Sequence, residues 1–308
     1  MPDSPLAQSP YAVLGVTPQA THAELRRAFR RRLRETHPDA GGDPAQFVRV
    51  QLAWEQVGTP EARARYDSGS RHRDEPARTW APAPPRKREN QSRPQARAHG
   101  HPGGWYRERY LELLREWVGR GAEIPDPYDA ALVRSAPPEV KHLLASAIAE
   151  EKTAVALADL GIAFTVWHDV DTDASPEGWG KVDHVVLGPT GLWGMLSEDW
   201  GAEVAVRRGE LIGPGIGRDE RPVQDLARRT RAFEKAARVK FSALLVVVDD
   251  GASAEGVEEI GKVRSARALL VQRPRLAHLV RTGVPGIGIG GTDLFEVRTR
   301  VQSAVRFV

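Results

Sequence analysis

The sequence predicts a multidomain protein: a small all-α unit over residues 1–70, a flexible linker over 71–104 and an α/β unit over 105–308. Three observations carry that prediction. A chain of 308 residues is long for one small module and suits two domains. Residues 71–104 are rich in Pro, Arg and small residues, and they bury too little apolar surface to offset the entropy of ordering. Before that segment the hydrophobic spacing is helical throughout; after it, helices alternate with β-rich runs.

In the first unit, residues 10–14 read as a short turn of helix ending at Gly15. Thr21 opens a second helix, and Glu24 three residues later completes a capping box. Leu25, Ala28, Phe29 and Leu33 recur at helical spacing, while Arg26, Arg27, Arg30, Arg31, Arg32 and Arg34 take the other faces. The helix stops before Pro38, since proline lacks an N–H and disfavours a helical residue before it. Asp43-Pro44 restarts the chain as cap and first helical residue. Phe47, Val50, Ala53, Trp54 and Val57 then form an apolar stripe, and Thr59-Pro60 opens a last helix through Tyr66.

The run PYAVLGV…ELRRAFRRRLRETHPD…FVRVQLAWEQVGTPEARARYD closely resembles a J domain of the DnaJ family. The match covers residues 9–67 and includes His37-Pro38-Asp39 and the ending Arg63-x-x-Tyr66-Asp67. Ala53-Trp54 stands where Ala-Tyr is usual. The resemblance implies docking on a DnaK-type heat-shock ATPase and stimulation of its ATP hydrolysis, in a bacterial setting. It places that activity on His37, Pro38 and Asp39, and a basic docking face on Arg26, Phe29, Arg30 and Arg31.

In the linker, Arg86, Lys87 and Arg88 read as solvated charges, or as a weak electrostatic contact for nucleic acid or an acidic partner. Residues 105–160 read as helices, with Trp105, Tyr110, Leu113, Leu114 and Trp117 near one face and Gly161 as a stop. Strands follow in AFTVWHDV, KVDHVVL and GLWGML, the last two joined around Gly188-Pro189-Thr190-Gly191. EVAVRRGELIG reads as a hairpin turning at Arg208-Gly209. A helix over 224–237, the buried strand FSALLVVV, a strand ALLVQ, a helix over 275–281 and a helix begun by Thr292-Asp293 complete the pattern.

This region, over roughly residues 140–250, resembles a nuclease-related (NERD) domain of the PD-(D/E)XK superfamily, a restriction-nuclease-like α/β fold. The likeness is best at EEKTAVALADLG, VDHVVLGPTGLWG and Pro222-x-Gln224. It implies Glu150 as the first acid, with Glu151 the alternative, and Asp183 as a Mg²⁺-binding aspartate. Where the family pattern has an acid, a spacer and a lysine, this chain has Leu196, Ser197 and Glu198. Two readings follow: a domain without nuclease chemistry, or a rearranged site in which Glu198 or Asp199 joins Asp183.

Other motifs read as structure. His168, Asp169, Asp171 and Asp173 lack the Gly and Glu of a calcium loop and suit a polar strand end. The glycine runs at 213–217 and 286–291 read as turns. His184 suits a strand position facing the sheet, and Trp167, Trp179, Trp193 and Trp200 suit the core.

Composition bounds the function. Hydrophobic residues make up 41% and charged residues 28%, enough for a substantial core. The absence of cysteine excludes disulfides, thiolate zinc sites and cysteine nucleophiles. No run approaches the ~20 apolar residues of a membrane span, and the first residues lack a signal-peptide pattern, so no membrane partner and a cytoplasmic location are expected. Arginines outnumber lysines 37 to 7, which reads as the stamp of a GC-rich genome. The net charge of +3 is concentrated in residues 71–104, and the last two thirds of the chain carry about −3. The expectation is therefore a J-domain co-chaperone requiring no cofactor, whose second domain selects a client or a location. The alternative is a metal-dependent nuclease or nucleic-acid-binding protein regulated by the chaperone.

Overall fold

The computed structural model describes residues 4–6, 8–38, 41–71, 80–82, 94–119, 121–174, 180–263, 266–286 and 293–308. The chain divides into two units, one of Ala7–Thr79 with Tyr128–Leu132, the other of Met1–Leu6, Trp80–Pro127 and Val133–Val308.

The first unit contains α1 (Pro10–Leu14), α2 (His22–Glu35), α3 (Pro44–Val57) and α4 (Pro60–Arg71). The Thr21 hydroxyl accepts from the Glu24 N–H while the Glu24 carboxylate accepts from the Thr21 N–H at 2.7 Å, the capping box read from sequence. Tyr11, Leu14, Leu25, Val50, Ala53 and Val57 bury the shared core, with Phe29, Leu33, Trp54 and Tyr66 packed at its margin. The C-terminal signature closes the unit as a latch. The Tyr11 hydroxyl donates to Asp67 at 2.7 Å, and Arg63 donates to the Tyr11 oxygen at 3.1 Å and to the Pro18 carbonyl at 2.8 Å.

The second unit runs β1 (Arg97–His99), α5 (Gly104–Val118), the last residues of α6 (Ala130–Ser135), α7 (Pro138–Ala158), β2 (Thr165–Val170), β3 (Val182–Gly188) and β4 (Gly191–Ser197). It continues with β5 (Ala205–Arg207), β6 (Glu210–Ile212), α8 (Pro222–Ala237), β7 (Ala243–Val248), β8 (Val257–Val263), β9 (Ala266–Gln272), α9 (Arg273–Thr282) and α10 (Leu294–Ala304). Among the described residues the main sheet has the order β1-β2-β3-β4-β7-β9-β8. Strands β4, β7 and β9 are mutually parallel, β3 runs against β2 and β4, and β8 runs against β9.

One sheet face packs Leu192, Leu196, Leu244 and Val246 on Leu226 and Phe233 of α8 and Val297 and Val301 of α10. The other packs Trp193, Met195, Leu245 and Val247 on Leu157 of α7 and Leu276 and Val280 of α9. Helices therefore cover both faces, as the uninterrupted apolar run of β7 requires. Gly188 is needed where it stands, because a Cβ there would lie 2.1 Å from the Phe164 ring. The β5–β6 hairpin turns at Arg208 (φ 52°) and Gly209 (φ 76°), the pair of positive φ values of a type I′ turn.

Three expectations change. The segment assigned to the linker contributes β1, whose residues pair in parallel with β2, and the Trp80 carbonyl accepts from Arg107 of α5. The second unit thus begins before residue 105, while 72–79 and 83–93, including Arg86, Lys87 and Arg88, lie outside the described residues. Strand β8 has no apolar alternation to announce it, being an exposed edge stabilised by pairing with β9. On α5 the buried residues are Tyr106, Arg107, Tyr110 and Leu114, whereas Trp117 is 41% exposed. Trp167, Trp193 and Trp200 fill the core as expected; Trp179 and most of 286–291 lie outside the described residues.

Candidate functional site

Two places gather the residues singled out by sequence, one in each unit. In the first, α2 ends at Glu35 and the chain turns through His37 and Pro38 to α3. Backbone bonds from Gly42 N–H to the His37 carbonyl and from Gly41 N–H to the Pro38 carbonyl, both 3.0 Å, set the loop's shape. Gly42 is required, since a Cβ would fall 2.3 Å from the Thr36 backbone. The His37 ring stands edge-on to Phe47 at 5.1 Å, half-buried, and Pro38 is exposed. Asp39 lies outside the described residues.

Arg26, Arg30 and Arg31 are exposed on α2, with Arg31 3.9 Å from Glu35. Such guanidinium groups present fork-shaped donors to carboxylates of a partner. Phe29, on the same helix, is half-buried at the margin of the core, its ring stacked on Trp54 with centroids 4.4 Å apart.

In the second unit the candidate residues collect at one end of the main sheet's strands, where β2, β4, β7 and β9 end and β3 begins. Asp183 on β3 and Glu150 on α7 are both fully buried. Between them lies the ammonium of Lys181, a residue the sequence reading passed over. Its Nζ donates to Asp169 at 2.8 Å, to Asp183 at 2.8 Å and to Glu150, and it sits 4.3 Å from the centre of the Tyr106 ring. The Glu150 carboxylate also accepts from the Gly103 N–H at 2.6 Å, and that of Asp183 from the Ser197 N–H at 2.7 Å.

Burial opposes every charge here, so the partners decide ionisation. Three surrounding carboxylates hold the Lys181 pKa above its ordinary value despite burial. Burial resists the ionisation of Asp183, but the Lys181 charge wins and its pKa is lowered. Burial and the Asp183 charge push Glu150 well up, so it is the member that retains a proton most readily. Asp169, read from sequence as part of a polar strand end, is a buried member of this cluster and adopts φ 51° to reach it.

The remaining candidates make no hydrogen bond to Lys181 and have partners of their own. Glu151 pairs with Arg107 at 2.8 Å, which separates it from the cluster and favours Glu150 as the inward-facing acid. Leu196 packs in the core below α8. Glu198 accepts from the Ser146 hydroxyl at 2.9 Å and lies 3.8 Å from His142; burial raises its pKa. Asp199 accepts from the Gly201 N–H at 2.8 Å. Asp171 accepts from the Asp173 N–H at 3.0 Å in a local turn.

The inward-facing His184 forms a buried chain, Nδ1 to His168 Nδ1 at 2.8 Å and Nε2 to Ser197 Oγ at 3.1 Å. Burial pushes His168 down to about 4 despite the neighbouring Asp169 charge, and burial together with the His168 ring pushes His184 well below its usual range. Both are neutral in the folded protein at pH 7, whereas unfolded histidine takes a proton near pH ~6.5. Between those values the unfolded chain binds more protons at these two rings, so their contribution to stability falls as pH drops, while the raised carboxyls of Glu150 and Glu198 act in the opposite direction. His168 alone accounts for about 3 kcal/mol by pH ~4. Denaturant unfolding of wild type and His168→Gln at pH 7 and pH 5 isolates this; the same change between the two pH values in both proteins would contradict it.

Sequence comparisons bear on the first place. A model of the DnaJ domain matches residues 9–67. DnaJ protein homolog 2 of Allium porrum is 44% identical over 57 residues, covering 18% of this chain and 14% of that protein. Chaperone protein DnaJ 2 of Streptomyces coelicolor is 40% identical over 67 residues, 21% of this chain and 18% of that protein. Chaperone protein DnaJ of Thermosynechococcus vestitus is 40% identical over 65 residues, 20% and 17%. The chain thus spans less than a fifth of the length of these relatives. No solved structure matches the chain. Among the described residues no helix is long and apolar enough to cross a membrane. The helical unit with its His37-Pro38 turn and Tyr11–Asp67 latch, together with these matches, makes residues 9–67 a J domain of the DnaJ family.

Proposed function

We propose that this chain is a co-chaperone whose J domain docks on a DnaK-type heat-shock ATPase and stimulates ATP hydrolysis. Its α/β unit, which resembles a nuclease-related domain, selects the client or the location without cutting nucleic acid. The observation that carries this reading is the pairing of the His37-Pro38 turn with the exposed Arg26, Arg30 and Arg31 on the adjoining helix. Arginine on a rigid helix favours both the encounter rate and the orientation of a carboxylate-bearing partner. Single-turnover ATP hydrolysis by the cognate ATPase, with and without this protein, tests it; an unchanged rate would overturn it.

A nuclease is the second reading, and Lys181 favours it by supplying a lysine beside Glu150 and Asp183. Burial weighs more heavily. Phosphodiester cleavage needs a metal held by convergent oxygens and open to water and substrate. Lys181, Glu150 and Asp183 are each at most 1% exposed, and the Gly103 N–H and the Tyr106 ring lie against them. Leu196 brings no oxygen. These residues do not fit a catalytic Mg²⁺. The expected outcome is no cleavage of plasmid, single-stranded DNA or RNA in Mg²⁺ or Mn²⁺. Cleavage by the wild type that disappears in an Asp183→Ala variant shown by circular dichroism to be folded would restore the nuclease, with Glu198 or Asp199 completing its site. The net charge of about −3 beyond the linker gives nucleic-acid binding no general electrostatic support.

A further inference from the structure

We infer that the Lys181 ammonium is a built-in cation that takes the place of a divalent metal, leaving the α/β unit metal-independent. The geometry matches an ammonium donor for acceptor. Glu150, Asp169 and Asp183 arrive from α7, β2 and β3, and one oxygen of each meets the same Nζ. An ammonium has three N–H donors and no acceptor, so three carboxylates satisfy it fully.

The surrounding groups aim those oxygens. Gly103 N–H holds the second oxygen of Glu150 at 2.6 Å, and Ser197 N–H holds that of Asp183 at 2.7 Å. This is the job that outer partners do around metal ligands. The face of Tyr106 lies 4.3 Å from the same Nζ. A ring face attracts a cation through its quadrupole but offers no oxygen to a metal. Mg²⁺ demands near-octahedral oxygen and usually keeps several waters, which a cluster this buried does not supply.

Convergent carboxylates without water repel one another and need a cation. Here that cation is covalently attached, so no chelator removes it and no change in metal supply empties the site. It also fastens β2, β3 and α7 together beneath the N-terminus of α5.

The test uses the full chain and Mn²⁺ as the probe, read by electron paramagnetic resonance and by thermal unfolding. Wild type is expected to bind no Mn²⁺ and to melt at one temperature in EDTA, Mg²⁺ and Mn²⁺. Lys181→Ala is expected to melt lower in EDTA and to recover by ~5 °C or more in Mn²⁺. Lys181→Ala with Asp183→Asn is expected to lose that recovery. Saturable Mn²⁺ binding by the wild type that Asp183→Asn removes would overturn the inference, as would a folded Lys181→Ala that ignores Mn²⁺. If Lys181→Ala does not fold, the wild-type titration decides: absence of binding supports the inference and saturable binding overturns it. The inference extends the non-catalytic reading of the α/β unit. Its failure would leave ATPase stimulation by the J domain untouched, so the two are separable.

Discussion

His37→Gln is expected to bring ATP hydrolysis by the cognate DnaK-type ATPase back to its unstimulated rate while leaving the J domain folded. The loop's shape comes from its backbone, through the Gly41 and Gly42 N–H bonds to the Pro38 and His37 carbonyls. The substitution leaves those bonds and the capping box at Thr21 in place. Among what it removes is the half-buried imidazole edge on Phe47, a contact worth about 1 kcal/mol. The loss of stimulation should therefore far exceed the loss of stability. Single-turnover hydrolysis alongside far-ultraviolet circular dichroism makes the comparison. Full stimulation by the variant would remove His37 from the docking role, and an unfolded variant would show that the ring is structural.

Asp183→Ala is expected to destabilise the α/β unit by about 3–5 kcal/mol, the usual consequence of removing one partner of a buried ion pair. The change strands the Ser197 N–H, which donates to Asp183, and leaves Lys181 with fewer acceptors. Asp225→Ala is the control. Its exposed pair with Arg228 spans 2.8 Å and should be worth less than about 1 kcal/mol. Tryptophan fluorescence reports the transition, since Trp167, Trp193 and Trp200 are buried in this unit. A loss equal to that of the control would mean that water enters the cluster and screens it.

Much of this protein is determined locally and was legible. Caps, proline stops and apolar spacing act within a few residues, so α1 to α4, α7, α8 and the strands β2, β3, β4 and β7 follow from sequence. The J domain was legible for the same reason, its motif being a continuous order of such signals. The placement of Glu150 and Asp183 on α7 and β3 was also legible.

The cluster that unites them was decided by the tertiary structure. Lys181 stands two residues before Asp183, and an alternating strand puts such a pair on one face. One of only seven lysines in an arginine-dominated chain, placed beside a buried strand, was the available signal. That its ammonium also meets Asp169 and Glu150 depends on the β2–β3 register and on where α7 crosses the sheet edge. Strand β1 was decided in the same way. RAH carries no β pattern, and it is ordered by pairing with β2 across more than sixty residues of chain. Local free energies write the elements into the sequence, whereas a buried charge is stabilised only by partners that folding brings from elsewhere.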